Sequence, residues 1–279
     1  MDVIKYDQAV LAAKIAGAAA VVAVAAKVCL SLTVYKKKQK DYPRDTVILH
    51  HPGKGPDVPS LVPFAVKLET YLRMTKIPYK SEMTLDTSKK GKYPWIEFNG
   101  EQVADSEFII EYLYGKFGIN LDDSFSPKEL GVARAFQKMV EENTYWTLVI
   151  DRWFYEPTKA LFKVFNIPFP MSILVRRNVR NMLYAQGTGR HTQEEVYHIL
   201  DTDLKALSNF LGKNKFLLGD KPCKADCSIF GMLVQAYWQS FGSKPGDIIR
   251  KYDNLCDYCE RIKSTFWPDW EDCVTRQKV

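Results

Sequence analysis

Residues 92–113, KYPWIEFNGEQVADSEFIIEYL, bring together a Tyr-Pro step, an Asn-Gly pair and an Asp-Ser pair ahead of an apolar run. Pro94 donates no backbone hydrogen bond and is free to adopt the cis form, which would turn the strand edge at Tyr93 toward the backbone of a ligand. Asn99-Gly100 supplies a hairpin turn. Asp105 and Ser106 precede Phe108, Ile109, Tyr112 and Leu113, so Ser106 falls at the N-cap of a helix with Glu107 in its first turn. Unpaired amides and the positive end of the dipole at such a helix start attract a carboxylate. Asp105 adds an acceptor for an ammonium group. Tyr93, Pro94, Asp105 and Ser106 are therefore the candidate ligand-binding residues, although the same spacing also suits a capped helix that follows a hairpin and binds nothing.

The elements that must position these residues can be read around them. Residues 46–50 (TVILH) form a β-rich run ending in a Gly/Pro loop at 51–59. Leu61, Phe64, Val66, Leu68, Tyr71, Leu72 and Met74 follow at helical spacing, Ile77-Pro78-Tyr79 closes that helix, and residues 80–85 read as a second strand. To residue 121 the order is strand, helix, strand, strand, strand, helix, a small α/β domain. Ending on strand, turn, strand and capped helix is how a thioredoxin-like domain builds a pocket for a thiol peptide. Residues 118–127 (GINLDDSFSP) are turn-rich and read as a linker. Beyond them helical period prevails at 130–153, 192–211, 223–242 and along Leu255, Tyr258, Cys259, Ile262 and Phe266, stopped by Trp267-Pro268. The expected organisation is a basic, membrane-associated segment at 1–45, a thioredoxin-like domain at 46–122 and an all-α domain at 128–279.

The 279 residues are 46% apolar and 26% charged, which describes a globular chain with ample core. The net charge of +6 draws on Lys36, Lys37, Lys38 and Lys40, and elsewhere basic and acidic residues are interspersed. This suits a membrane-flanking patch and gives no reason to expect a nucleic acid partner. Six cysteines in a chain of this length do not make a secreted disulfide scaffold. Residues 15–34 are apolar or small apart from Lys27, Ser31 and Thr33, and twenty helical residues span about 30 Å, one hydrocarbon core. With Asp2 and Asp7 on one side and the lysine cluster on the other, the charge bias places a single-pass anchor with the main domain facing the cytoplasm. An interfacial helix and a signal peptide with AVAA (23–26) at its cleavage site remain alternatives.

An α/β domain with these features joined to a helical domain resembles the glutathione transferase superfamily, and FLLGDKPCKADCSIFG (216–231) looks like the segment where that superfamily starts a buried helix with a capping motif ending in Asp226. The stretches VPSLVPFAVKLETYLRM, YPWIEFNGE, EFIIEYL, MVEENTYWTL and GTGRHTQEEVYHILDTDLKALSNFLG resemble the failed axon connections family, relatives of metaxins and of nematode cadmium-responsive proteins. The resemblance covers roughly residues 46–270. It implies a thioredoxin-like N-terminal domain, a transferase-type helical C-terminal domain, a common N-terminal membrane segment, glutathione as a ligand with no permanently bound cofactor, and a role in axon development or cadmium stress.

One departure bears on activity. Relatives typically carry Ser-Pro-Phe-Cys at the start of the first helix, whereas this chain has Val62-Pro63-Phe64-Ala65. Neither Val62 nor Ala65 can donate to a thiolate or attack a disulfide. The expected activity is therefore binding of glutathione or a related thiol with little catalysis. An active transferase or thiol reductase would need another activating group, for which Ser60 and Tyr71 are the weak candidates. A third alternative is heavy-metal sequestration by Cys223 with Cys227 and Cys256 with Cys259, whose spacings put each pair on one helix face. Plain burial explains those cysteines equally well, and no metal ligands are assigned. His50 and His51 are a possible base or metal pair. Tyr145, Trp146, Trp153, Tyr155, Tyr237 and Trp238 read as core with some rings lining an interdomain cleft, and Arg190-His191 either binds an anion or caps the following helix. A homodimer or a protein partner is also possible.

Overall fold

The computed structural model describes residues 42–165 and 167–275. A four-stranded sheet in the order β2-β1-β3-β4 is built from β1 (Val47–His51), β2 (Tyr79–Met83), β3 (Trp95–Phe98) and β4 (Glu101–Ala104). β1 runs parallel to β2 in the register Val47 to Tyr79, and antiparallel to β3, which pairs antiparallel with β4. The parallel pair needs a crossover, and α1 (Pro63–Thr75) provides it. The β3–β4 turn is tight because Asn99 (φ +49°) and Gly100 (φ +85°) both take left-handed backbone, as an Asn-Gly hairpin requires. Helix α2 (Ser106–Phe117) then returns across the sheet and ends at Gly118, whose φ of +67° suits the left-handed cap. Alternation sends Val47, Leu49, Ile96 and Phe98 to the face covered by Leu68, Tyr71 and Leu72 of α1 and by Ile109, Ile110 and Leu113 of α2.

From Pro127 the fold is helical. The segment expected as one helix at 130–153 is α3 (Pro127–Met139), a π-helical turn (Val140–Thr144), α4 (Tyr145–Ile150) and a second π-helical turn (Asp151–Tyr155). Each π turn shifts the side chains that follow around the axis. Ser126 and Glu129 close a capping box at its start. The remaining helices are α5 (Ala160–Val164), α6 (Phe169–Gln186), α7 (Gln193–Leu211), α8 (Lys224–Tyr237), α9 (Lys244–Ile249) and α10 (Asp253–Phe266). The helix read at 223–242 stops at Tyr237, and α5, α6 and α9 gave no usable period. In α6 only Leu183 is buried, so there is no apolar stripe to detect.

Helix α8 is the axis of the assembly, buried from Ala225 to Ala236. It lies against α1 so closely that a Cβ built on Gly231 would sit 2.6 Å from the Pro63 carbonyl oxygen. Only glycine permits that approach of two backbones, and through it the β half and the helical half share one packed interface. The candidate anchor at 15–34 lies outside the described residues, and among the described residues no helix is long and apolar enough to cross a membrane.

Candidate functional site

A cleft of about 420 Å³ opens between the β half and the long helical segment. On the β side its wall is Lys92 and Tyr93, ahead of a Tyr93-Pro94 peptide bond that is cis, together with Asp105, Ser106 and Glu107. Asp105 has a φ of +81° and its Oδ1 accepts a hydrogen bond from the Glu107 amide at 3.2 Å. Asp105 is thus the N-cap of α2, and Ser106, read from sequence as the cap, is its first residue. The shift follows from the backbone: β4 ends at Ala104, and a short carboxylate at a left-handed position reaches the amide two residues on. Tyr93, Asp105 and Ser106 are brought together at one wall, and Pro94 lies between Tyr93 and the start of β3.

The opposite wall begins at Val62 and Phe64 and continues along Glu141, Glu142, Tyr145 and Trp146. Val62 caps α1 without a side-chain hydrogen bond, Ala65 is buried, and Phe64 packs on Tyr145 with ring centroids 5.2 Å apart. This corner is hydrocarbon. Neither weak catalytic candidate lines the cleft. The Ser60 hydroxyl is buried and accepts from the Val62 amide at 3.2 Å, while the Tyr71 hydroxyl donates to the Ile119 carbonyl at 3.1 Å in the sheet-side core. The hydroxyl-bearing ring on this wall is that of Tyr145. It also borders an apolar side chamber of about 170 Å³ with Leu61, Val62 and Trp153. Burial pushes the Tyr145 phenol up, so it stays protonated and able to donate.

Beneath the cleft floor lies a charge cluster that the sequence did not announce. The Lys67 ammonium, fully buried, donates to Glu107 Oε1 and Glu141 Oε1, each at 2.6 Å. Gln137 donates to the same two oxygens, Ser228 to Glu141, Arg134 to Glu107 and Lys138 to Glu141. Burial opposes ionisation of Glu107, but the Lys67 ammonium overrides it and holds that carboxyl down to about 2. Glu141 is held below the usual carboxylate range by the same balance. The cluster joins α1 and α2 of the β half to α3, the first π turn and α8 of the helical half. It also fixes Glu107, the second residue of α2, so the helix start at the cleft is held from below. The signal was a lysine within an otherwise apolar run of α1, Val66-Lys67-Leu68.

The other sequence candidates lie elsewhere. His51, which lines a separate pocket with Glu69 and Arg73 of α1, has Nε2 2.7 Å from the Ser81 hydroxyl, and burial pushes its imidazole down to about 4. His50 stacks on Trp95 at 3.7 Å. Cys223, Cys227 and Cys259 are buried, and burial pushes all three thiols up. Among the described residues no group of three or more His, Cys, Asp or Glu is arranged to hold a metal ion. Arg190 donates to the Tyr184 carbonyl and covers the Tyr184 ring, and His191 pairs with Glu195, so both are occupied in the loop before α7.

Residues 63–158 match the glutathione S-transferase N-terminal domain family, and residues 200–262 the glutathione S-transferase C-terminal domain family. Failed axon connections of Drosophila melanogaster is 29% identical over 259 residues, 85% of this chain and 62% of the fly protein, so the chain spans about three fifths of that relative. Isoprene-epoxide–glutathione S-transferase of Rhodococcus sp. (strain AD45) is 34% identical over 236 residues, 79% of this chain and 98% of that enzyme. Metaxin-2 of Mus musculus is 22% identical over 74% of this chain and 82% of its own length. Among solved structures, a β-etherase from Sphingobium sp. strain SYK-6 superposes with a TM-score of 0.55 at 21% identity, over 78% of this chain and 95% of its own. A Methylobacterium radiotolerans glutathione S-transferase in complex with glutathione sulfonate superposes with a TM-score of 0.53 at 16% identity, over 84% and 97%. At these identities the superpositions speak for the fold.

Proposed function

This chain belongs to the glutathione S-transferase family and is related to failed axon connections and the metaxins, and on that premise we propose that its cleft binds glutathione or a similar acidic thiol peptide with little or no conjugation. The observation that carries the reading is the contrast between the two walls. At the start of α2, Ser106 lines the cleft, where a ligand carboxylate would meet the positive helix end. Asp105 uses Oδ1 in the cap, which leaves Oδ2 for a ligand ammonium. The Tyr93 backbone, ahead of Pro94, would pair with a peptide backbone in this reading. The side chains of Val62 and Phe64 then offer the ligand's sulfur no donor to lower a thiol pKa of about 8.5–9, which leaves the Tyr145 hydroxyl as the candidate donor on that wall.

Calorimetric titration of glutathione into the whole chain is expected to give saturable binding that weakens about tenfold or more in an Asp105→Ala, Ser106→Ala double variant. Turnover of chlorodinitrobenzene by the wild type is expected to match that of the double variant. Turnover well above it would replace this reading with the second one, an active transferase. Tyr145 is the group favouring that second reading, because its ring borders both the cleft and the apolar side chamber. Tyr145→Phe would then abolish the turnover.

The segment at 15–34 serves, in the same proposal, as a single-pass anchor that leaves the two domains in the cytoplasm. The chain's role is then binding or scaffolding at a membrane, of the kind the resemblance implies for axon development or cadmium stress. Membrane association that resists carbonate extraction and disappears on removal of residues 1–41 is the expected result.

A further inference from the structure

The expectation that basic and acidic residues are interspersed fails over residues 157–192. That stretch contains Lys159, Lys163, Arg176, Arg177, Arg180 and Arg190 and no aspartate or glutamate, a local excess equal to the net charge of the whole chain, +6. It is also where exposed hydrocarbon concentrates among the described residues. Phe169 is 78% exposed, Leu174 62% and Ile173 56%, with Met171, Met182 and Tyr184 about half exposed. Almost all of this lies on α6, which rests on the rest of the protein through Leu183 and Val179 against Trp146, Val149, Phe154 and Tyr155. An eighteen-residue helix with one buried side chain is an exception in a globular fold, and exposed apolar side chains gathered on one element mark a docking surface.

The pattern on that face selects the occupant. At helical spacing Ile173, Arg177, Arg180 and Tyr184 share one face (i, i+4, i+7, i+11), so two arginines are flanked by apolar groups, with the Arg180 guanidinium also reaching over the Phe154 ring at 5.3 Å. Leu174, Asn178 and Asn181 continue the face beside it, and both asparagines are uncharged. A protein groove would need carboxylates matched one by one to these arginines, and a second copy of the same face would set its two arginines against two like charges. A sheet of anionic headgroups over hydrocarbon satisfies both components together: guanidinium groups pair with phosphate and carboxylate oxygens while Phe169, Ile173 and Leu174 enter the acyl boundary. We propose that α6 is an interfacial helix that lays this face on the anionic surface of a lipid bilayer, independently of any anchor at 15–34.

Hydrogen exchange of the full chain reconstituted in vesicles tests this without relying on whether the anchor holds it there. With about one third phosphatidylserine in phosphatidylcholine, amides of α6 are expected to exchange about tenfold or more slowly than in pure phosphatidylcholine, with high salt reversing the difference. An Arg177→Glu, Arg180→Glu variant is expected to lose the protection, and so is an Ile173→Gln, Leu174→Gln variant. Unchanged exchange in α7 reports that each variant is folded. Equal exchange of α6 in the two lipid mixtures would overturn the proposal. So would protection that grows with protein concentration in the absence of vesicles, which would assign the face to a second copy.

Discussion

Replacing Lys67 by alanine is expected to destabilise the protein by about 3–5 kcal/mol, because it leaves the buried Glu141 and half-buried Glu107 carboxylates without their shared counter-ion. For a chain of this size that corresponds to a melting temperature lower by about 10 °C. Urea unfolding of Lys67→Ala and of a Lys67→Met, Glu107→Gln, Glu141→Gln triple variant separates lost charge balance from lost packing. The triple variant is expected to recover most of the loss, since hydrocarbon and amides of similar shape replace the ions. A single variant within about 1 kcal/mol of wild type would mean that the cluster does not hold the two halves together.

The pH dependence follows from the same residues. Glu107 is held at about 2 in the fold against its usual 4.5, so its contribution is fully present above pH 4.5 and is lost as pH falls toward 2. Glu141 is depressed in the same direction and loses its share in the same acid range. That acid-driven loss is expected to be largely absent in Lys67→Ala, where the ammonium that depresses both carboxyls is gone. Because Glu107 is the second residue of α2, the variant is also expected to bind glutathione more weakly than its stability alone would explain.

Asp226→Ala is the second large effect, again about 3–5 kcal/mol. The carboxylate is fully buried at the start of α8 and accepts from the Cys223 amide, the Leu217 amide and the Tyr258 hydroxyl, each at 2.8 Å. Removing it strands three buried donors at about 1–3 kcal/mol each, partly relieved where a donor can turn elsewhere. Asp226→Asn keeps an oxygen acceptor and is expected to cost less than half as much. Chemical denaturation of both variants reads the difference, and equal costs would show that charge, not hydrogen-bond acceptance, is what the site needs. Since α8 carries both the interface with α1 and Ser228 of the charge cluster, a frayed α8 start is expected to loosen the cleft as well.

Much of the fold was legible because it rests on local rules. Asn99-Gly100 demanded a hairpin whatever surrounded it, and the Val, Ile and Leu runs at the strands demanded burial. Asp226 three residues after Cys223 marked the start of α8. The cleft wall at Tyr93, Asp105 and Ser106 was legible for the same reason, with the cap one residue earlier than its sequence suggested. Helix α6 was not legible, because its residues bury almost nothing and so carry no period.

The sequence by itself determined the order of elements, the two halves and the hydrocarbon at Val62 and Ala65, since each depends on a residue's own backbone preferences or its lack of polar atoms. Tertiary structure alone decided which charges meet. Lys67 and Glu107 are 40 residues apart and Lys67 and Glu141 are 74 apart, and no local propensity relates such positions until α1, α2 and the first π turn pack around one desolvated point. It alone decided, too, that Tyr71 turns into the sheet-side core while Tyr145 faces the cleft, because the side of a helix that becomes buried depends on the neighbour it meets.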